Sequence, residues 1–183
     1  MVKMDCLAST DAGVIAIWDP AAFTHIDGYE MRKTELLEDE DIVRHIDAGR
    51  LVPINIGGDG AWRIRIRLGD DHPTTAGISQ REQRCVVVSS QPYPFVSTGT
   101  AIVSGYENID HDPRPDLPCL PLAAGRYAVT IHLLDWEAEP GGLVGDDRPS
   151  PTALPDFAVL INPEPETPPA YRTRVATFDR PEA

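Results

Sequence analysis

Arg63, Arg65 and Arg67 alternate with Trp62, Ile64, Ile66 and Leu68. In a strand, that spacing puts all three guanidinium groups on one face. There they could grip a carboxylate or phosphate through paired N–H donors. The same pattern also describes a solvated sheet face balanced by cross-strand Asp or Glu. His132 and Trp136 share the polar face of a second strand with Arg126 and Thr130. If the two faces meet, they form a polar groove with an aromatic wall. His132 could then titrate near neutral pH, although a lone histidine on a strand face is more often inert.

Other chemistry-bearing groups have simpler readings. Asp70-Asp71-His72, Asp110-His111-Asp112 and Asp146-Asp147 have the residue types of a divalent-cation site. None has EF-hand spacing, and all are flanked by the prolines or glycines of turns. Gly57-Gly58-Asp59-Gly60 matches neither the dinucleotide nor the phosphate-loop pattern. It reads as a turn needing positive φ. Cys6, Cys85 and Cys119 are far apart and odd in number. They imply buried free thiols in a reducing compartment, with no zinc site or redox pair. No serine sits in a nucleophile elbow. The residues specify no catalytic set and no cofactor, and they leave enzymatic activity open while favouring a non-enzymatic protein.

The elements that would position these groups are mostly strands. Gly13–Trp18 is a short apolar run closed by Asp19-Pro20 and reads as an inner strand. Leu51–Ile56, the glycine turn and Ala61–Leu68 read as a hairpin, and Pro53 places its first strand at an edge. Further strands are expected at Arg84–Ser90, Tyr93–Val96, Thr100–Ser104, Arg126–Asp135 and Phe157–Ile161. Tyr127, Val129, Ile131 and Leu133 should face the core. One helix fits between about Thr34 and Ala48. Leu36, Val43 and Ile46 share a face there, Leu37 and Ile42 lie at its margin, and Gly49 is a stop. The expected fold is mainly β, a two-sheet sandwich of roughly eight strands with one short α-helix. Residues 1–161 would form that domain. Residues 162–183 hold five prolines and read as an extended tail, with Tyr171–Phe178 able to add an edge strand.

A chain of 183 residues can bury roughly 70% of its unfolded surface without disulfide or metal support. The formal charge of −13 is concentrated in three stretches, residues 27–47, 105–116 and 135–156, and the remainder is neutral overall. That sign opposes binding to nucleic-acid phosphates. It suits a basic partner or a cation, and it also keeps a protein soluble. No apolar run has the length of a signal peptide core or a membrane span. A cytoplasmic protein, with no membrane association, is the default expectation.

Asp11-Ala12-Gly13-Val14-Ile15-Ala16-Ile17-Trp18-Asp19-Pro20 resembles the opening of several bacterial β-rich proteins of unknown function. Gly57-Gly58-Asp59-Gly60-Ala61-Trp62 and Leu122-Ala123-Ala124-Gly125-Arg126-Tyr127 resemble the same groups. The last of these, with the strand after it, is similar to competence-associated nuclease inhibitors, which are small β-sandwich proteins. The resemblance implies a sandwich and a role in blocking a toxin or nuclease. It transfers no catalytic residue. The leading expectation is a non-enzymatic binding protein of immunity or inhibitor type with a protein partner. The alternative is a small-molecule or carbohydrate-binding sandwich that uses Arg63, Arg65, Arg67, His132 and Trp136.

Overall fold

The computed structural model describes residues 2–69, 75–145 and 148–178. The turns Asp70-Asp71-His72 and Asp146-Asp147 lie outside the described residues, as does Pro181 of the tail. The strands are β1 (Val2–Thr10), β2 (Val14–Trp18), β3 (Leu51–Asn55), β4 (Gly60–Leu68), β5 (Val86–Ser89), β6 (Tyr93–Ser97), β7 (Thr100–Gly105), β8 (Cys119–Pro121), β9 (Gly125–Leu134), β10 (Leu143–Val144), β11 (Arg148–Pro149) and β12 (Phe157–Pro163). The helices are α1 (Gly28–Leu36), α2 (Asp39–Asp47) and α3 (Gln80–Gln83), and short 3-10 turns cover Pro20–Phe23 and Tyr106–Asn108. The molecule is therefore mainly β, as expected, with more strands and helices than the sequence pattern announces.

Two sheets share one core. The larger has the order β1-β4-β12-β9-β5, with β6 pairing the other half of the β9 edge. The smaller has the order β3-β2-β7-β8. Strand β12 lies between β4, to which it is parallel, and β9, to which it is antiparallel. Its run Phe157-Ala158-Val159-Leu160-Ile161 is buried on both faces, which is why it reads as continuously apolar instead of alternating. Full burial of a side chain such as Phe157 or Ile161 contributes about 1.5–3 kcal/mol. Ile15, Ile17 and Trp18 of the small sheet join Ile64, Ile66, Val129 and Ile131 of the large one in the same apolar cluster.

Three sequence expectations need correction. The first ordered element, expected at Gly13–Trp18, is instead β1, which pairs along its whole length with β4. The expected hairpin does not form. β3 pairs with β2 and β4 with β1 and β12, so the glycine turn carries the chain from one sheet to the other. Pro53 does mark an edge strand. Gly13 and Gly57, both at positive φ, bring two turns together at this crossing. The Gly13 carbonyl accepts from the Ile56 and Gly57 amides, and a Cβ on Gly13 would lie 3.1 Å from Gly58 N.

The single expected helix is two. Glu38 takes an extended conformation and separates α1 from α2. Leu36, Ile42 and Ile46 are buried, Val43 is half-buried and Leu37 is exposed. Gly49 ends α2 at φ 68°, with its amide donating to Ile46 O.

The segment after β12 lies along the body. Tyr171 donates to Glu164 at 2.7 Å, and the Arg172 amide donates to Pro92 O at 2.8 Å. Tyr171–Phe178 contributes one parallel bridge, Thr177 to Asn55. Phe178 is buried edge-on against Phe157, with ring centroids 5.7 Å apart.

Candidate functional site

Sheet register brings the predicted polar groups onto one face. Ala158 is paired with Arg65 on one side and with His132 on the other. The two side chains therefore stand two strand spacings apart, about 10 Å. Leu160 separates Arg67 from Thr130 in the same way. This face is roofed by α3 and by the segment around Leu154. A small second core of Cys85, Leu134, Leu154 and Ala158 lies beneath that roof.

Each arginine of the row is engaged. Arg63 donates to Leu154 O at 2.7 Å, and its guanidinium carbon lies 5.6 Å from the Trp136 ring centroid, a cation–π contact. Asp156 ties the two together, accepting from the Arg63 amide at 2.7 Å and from Trp136 Nε1 at 2.8 Å. Arg65 holds Asp5 of β1 through two bonds of 2.7 and 3.2 Å. Arg67 donates to Glu82 at 2.6 Å, and Arg65 lies 3.6 Å from the same carboxylate. Arg126 is at the far end of β9 and pairs with Glu164 at 2.6 Å.

Glu82 is the residue that sequence reasoning missed here. It is fully buried and forms a capping box with Ser79, accepting from the Ser79 amide at 2.7 Å and hydroxyl at 2.8 Å. Burial pushes its carboxyl up. The bonds from Arg67 and Ser79 outweigh that and hold it below the ordinary carboxylate value. The signal was present as Ser79-x-x-Glu82, a Ser followed three residues later by Glu. Asp5 was missed together with β1.

His132 is buried. Its Nδ1 lies 2.7 Å from Ser89 Oγ, and its Nε2 has no partner among the described residues. Burial lowers its pKa, Glu82 opposes that, and the Arg67 charge adds to it. The imidazole is thus held neutral inside the roofed face. Beside the row, Asp5, Leu7, Arg63, Arg65, Pro151 and Pro155 border an open groove of about 320 Å³. Among the described residues, no three His, Cys, Asp or Glu side chains are grouped to hold a metal ion. Asp110 instead pairs with Arg32 at 3.5 Å and with His111 at 2.7 Å. All three cysteines are free, but only Cys85 is buried. Cys6 is half-buried and Cys119 is exposed on β8, a correction to the expectation of three buried thiols.

The α1–α2 layer is a different kind of surface. Glu30, Glu38, Asp39, Glu40 and Asp47 are exposed, and their carboxylates form no ion pair or side-chain hydrogen bond among the described residues. Tyr29, Met31 and Leu37 stand among them, exposed by 69, 41 and 58%. The acids of the 135–156 loop are less free. Glu139 is clamped by Arg81, and Asp156 by Arg63 and Trp136.

Two packed sheets with a helical layer on one side define the class, a sandwich-like β protein. No family model matches the chain, and no curated protein sequence matches it. Two solved structures do. One is described as "Crocagin biosynthetic gene J", with 18% identity over 89% of this chain and 96% of that one, at a TM-score of 0.54. The fold is shared with that protein. The other is ComJ, inhibitor of the DNA degrading activity of NucA, from Bacillus subtilis, with 12% identity over the same shares and a TM-score of 0.43. No helix among the described residues is long and apolar enough to cross a membrane.

Proposed function

We propose that this chain is a non-enzymatic binding protein of immunity or inhibitor type that acts on a protein partner in the cytoplasm. The observation that carries this reading is the α1–α2 layer, where unpaired carboxylates and exposed Tyr29, Met31 and Leu37 share two consecutive helices. Exposed apolar groups beside a surplus of unpaired carboxylates, with Lys33 and Arg44 among them, suit a basic partner surface, with the net charge steering the encounter and the apolar groups holding it. The free cysteines fit a reducing compartment.

The test is capture from host extract at low and moderate salt. The wild type is compared with a variant carrying Leu37→Ser, Glu38→Gln, Asp39→Asn and Glu40→Gln. A basic protein should be retained by the wild type, less so in moderate salt, and lost with the variant; its purified form should reproduce the contrast. Recovery of no specific protein under either condition ends the reading.

The groove beside Arg63 and Arg65 favours a second reading, in which an anionic small molecule binds there. Such a ligand must displace Asp5 from Arg65. A thermal-shift screen of anionic metabolites against wild type and Arg65→Ala tests it. If no ligand stabilises the wild type, this reading fails.

A further inference from the structure

A second cavity, of about 330 Å³, opens within the α1–α2 layer, between α1, the first turn of α2, the start of β2 and the turn Tyr106–Asn108. Its wall is largely apolar. Buried Leu36 and Ile42 and half-buried Val14 and Val175 form it, and the exposed side chains of Tyr29 and Leu37 also line it. The volume is at the lower end of what small-molecule sites occupy, roughly 300–1,000 Å³. It gives room to one long side chain from a partner surface.

The charged groups along this wall differ in how far they are committed. Arg32 donates to Glu107 O and lies 3.5 Å from Asp110. The Glu107 carboxylate receives the Thr10 hydroxyl, the Asp11 amide and the Asn108 side chain. Lys33 is exposed, and its flexible stem can carry the ammonium into solvent. Asp39 lines the cavity and forms no ion pair or side-chain hydrogen bond among the described residues. Its charge reaches the wall: burial pushes the Tyr106 phenol up, and the Tyr93 and Asp39 charges add to the shift. With Asp110 counted, three carboxylates stand against two cations. The uncommitted acceptor is Asp39.

We propose, resting on the partner-binding reading, that this cavity is the socket for an arginine side chain of the basic partner. The aliphatic stem would lie against Leu36, Ile42 and Val175. The guanidinium would stack on Tyr29 and donate a forked pair of bonds to Asp39. Arginine suits both halves of the site, because an apolar stem carries a planar cation that is only weakly hydrated. It is also among the residues that carry most of the binding energy at protein interfaces. The Asp39 charge disfavours an anionic occupant.

N-acetyl-argininamide serves as the probe in amide NMR titrations of the full chain, with N-acetyl-citrullinamide as its uncharged control. The arginine probe should shift the Ala12, Val14, Leu36 and Ile42 amides in a saturable way. The citrulline probe should bind more weakly by about threefold or more, the scale of one exposed ion pair. Asp39→Asn should remove that preference. Ala12→Trp, which fills the mouth of the cavity from an exposed position, should block both probes. The proposal is overturned by the absence of saturable shifts at these amides, by equal binding of the two probes, or by an Asp39→Asn variant that still prefers arginine. Capture from host extract separates the socket from the wider reading. A basic protein retained equally by the wild type and by Ala12→Trp overturns the socket and leaves the partner reading standing. Saturable arginine binding with no captured protein ends the partner reading and supports the socket chemistry.

Discussion

On the arginine-bearing face of the large sheet, every charge the sequence advertises has been given an internal partner. Arg67 and Arg65 converge on Glu82, Asp5 closes the row from β1, and Arg63 is held by Leu154 and Trp136. On the α1–α2 layer, Glu30, Glu38, Asp39, Glu40 and Asp47 stay solvated and unpaired, beside apolar groups that the core has not taken. A run of chemically capable residues is therefore a weaker pointer to binding than the state of their partners. Satisfied groups hold the fold together, and unsatisfied ones remain free to meet something else.

The contrast breaks first at Glu82. Glu82→Ala would leave Arg67 buried without its carboxylate, and loss of one partner from a buried pair is expected to cost about 3 kcal/mol or more. Urea denaturation measures this directly. A loss under about 1 kcal/mol would mean that the pair behaves like a surface ion pair and that the face is not a structural one.

A smaller effect is expected from acid. His132 and His45 are buried, and burial holds both below the usual 6.5. A group whose pKa is lower folded than unfolded contributes full stability above the unfolded value and loses it as pH falls toward the folded one. Thermal stability should therefore begin to decline below pH 6.5. It should decline again as the lowered carboxyls of Glu82 and Asp5 protonate, below their ordinary values of 4.5 and 3.8. His132→Gln should lose less melting temperature than the wild type between about pH 7.5 and 5.5. Parallel curves for the two would remove His132 from the account.

The smallest effect is expected on the helical layer. Leu37→Ser should change unfolding free energy by less than about 0.5 kcal/mol, because the side chain is more exposed than buried. A larger loss would show that the layer, too, is part of the scaffold.

The same contrast explains what was legible. β4 and β9 declare themselves because bulky apolar groups alternate with polar ones, and β12 because it is apolar throughout. β1 is faint. Its core-facing positions hold Met4, Cys6 and Ala8, small or soft groups, while Leu7 points outward. The turn Gly57–Gly60 looks like a hairpin because adjacent strands usually pair, but a glycine turn specifies only a reversal, not which sheet receives the next strand. The polar face was readable from period two alone. That Ala158 would lie between Arg65 and His132 was not, since β12 arrives from far along the chain. The α1–α2 surface was visible as charge, but its unpaired state depends on tertiary neighbours that no local pattern reports.

The central position of β12 also bears on how the chain is made. β4 and β9 are its two neighbours, yet both are synthesised before residues 157–163 exist. During translation each must wait with an open hydrogen-bonding edge, and long-range pairing of this kind is slow and exposed to aggregation. The large sheet can zip together only once that late strand has left the ribosome, so truncations or pauses ahead of residue 157 leave two unsealed edges and not a smaller stable sheet.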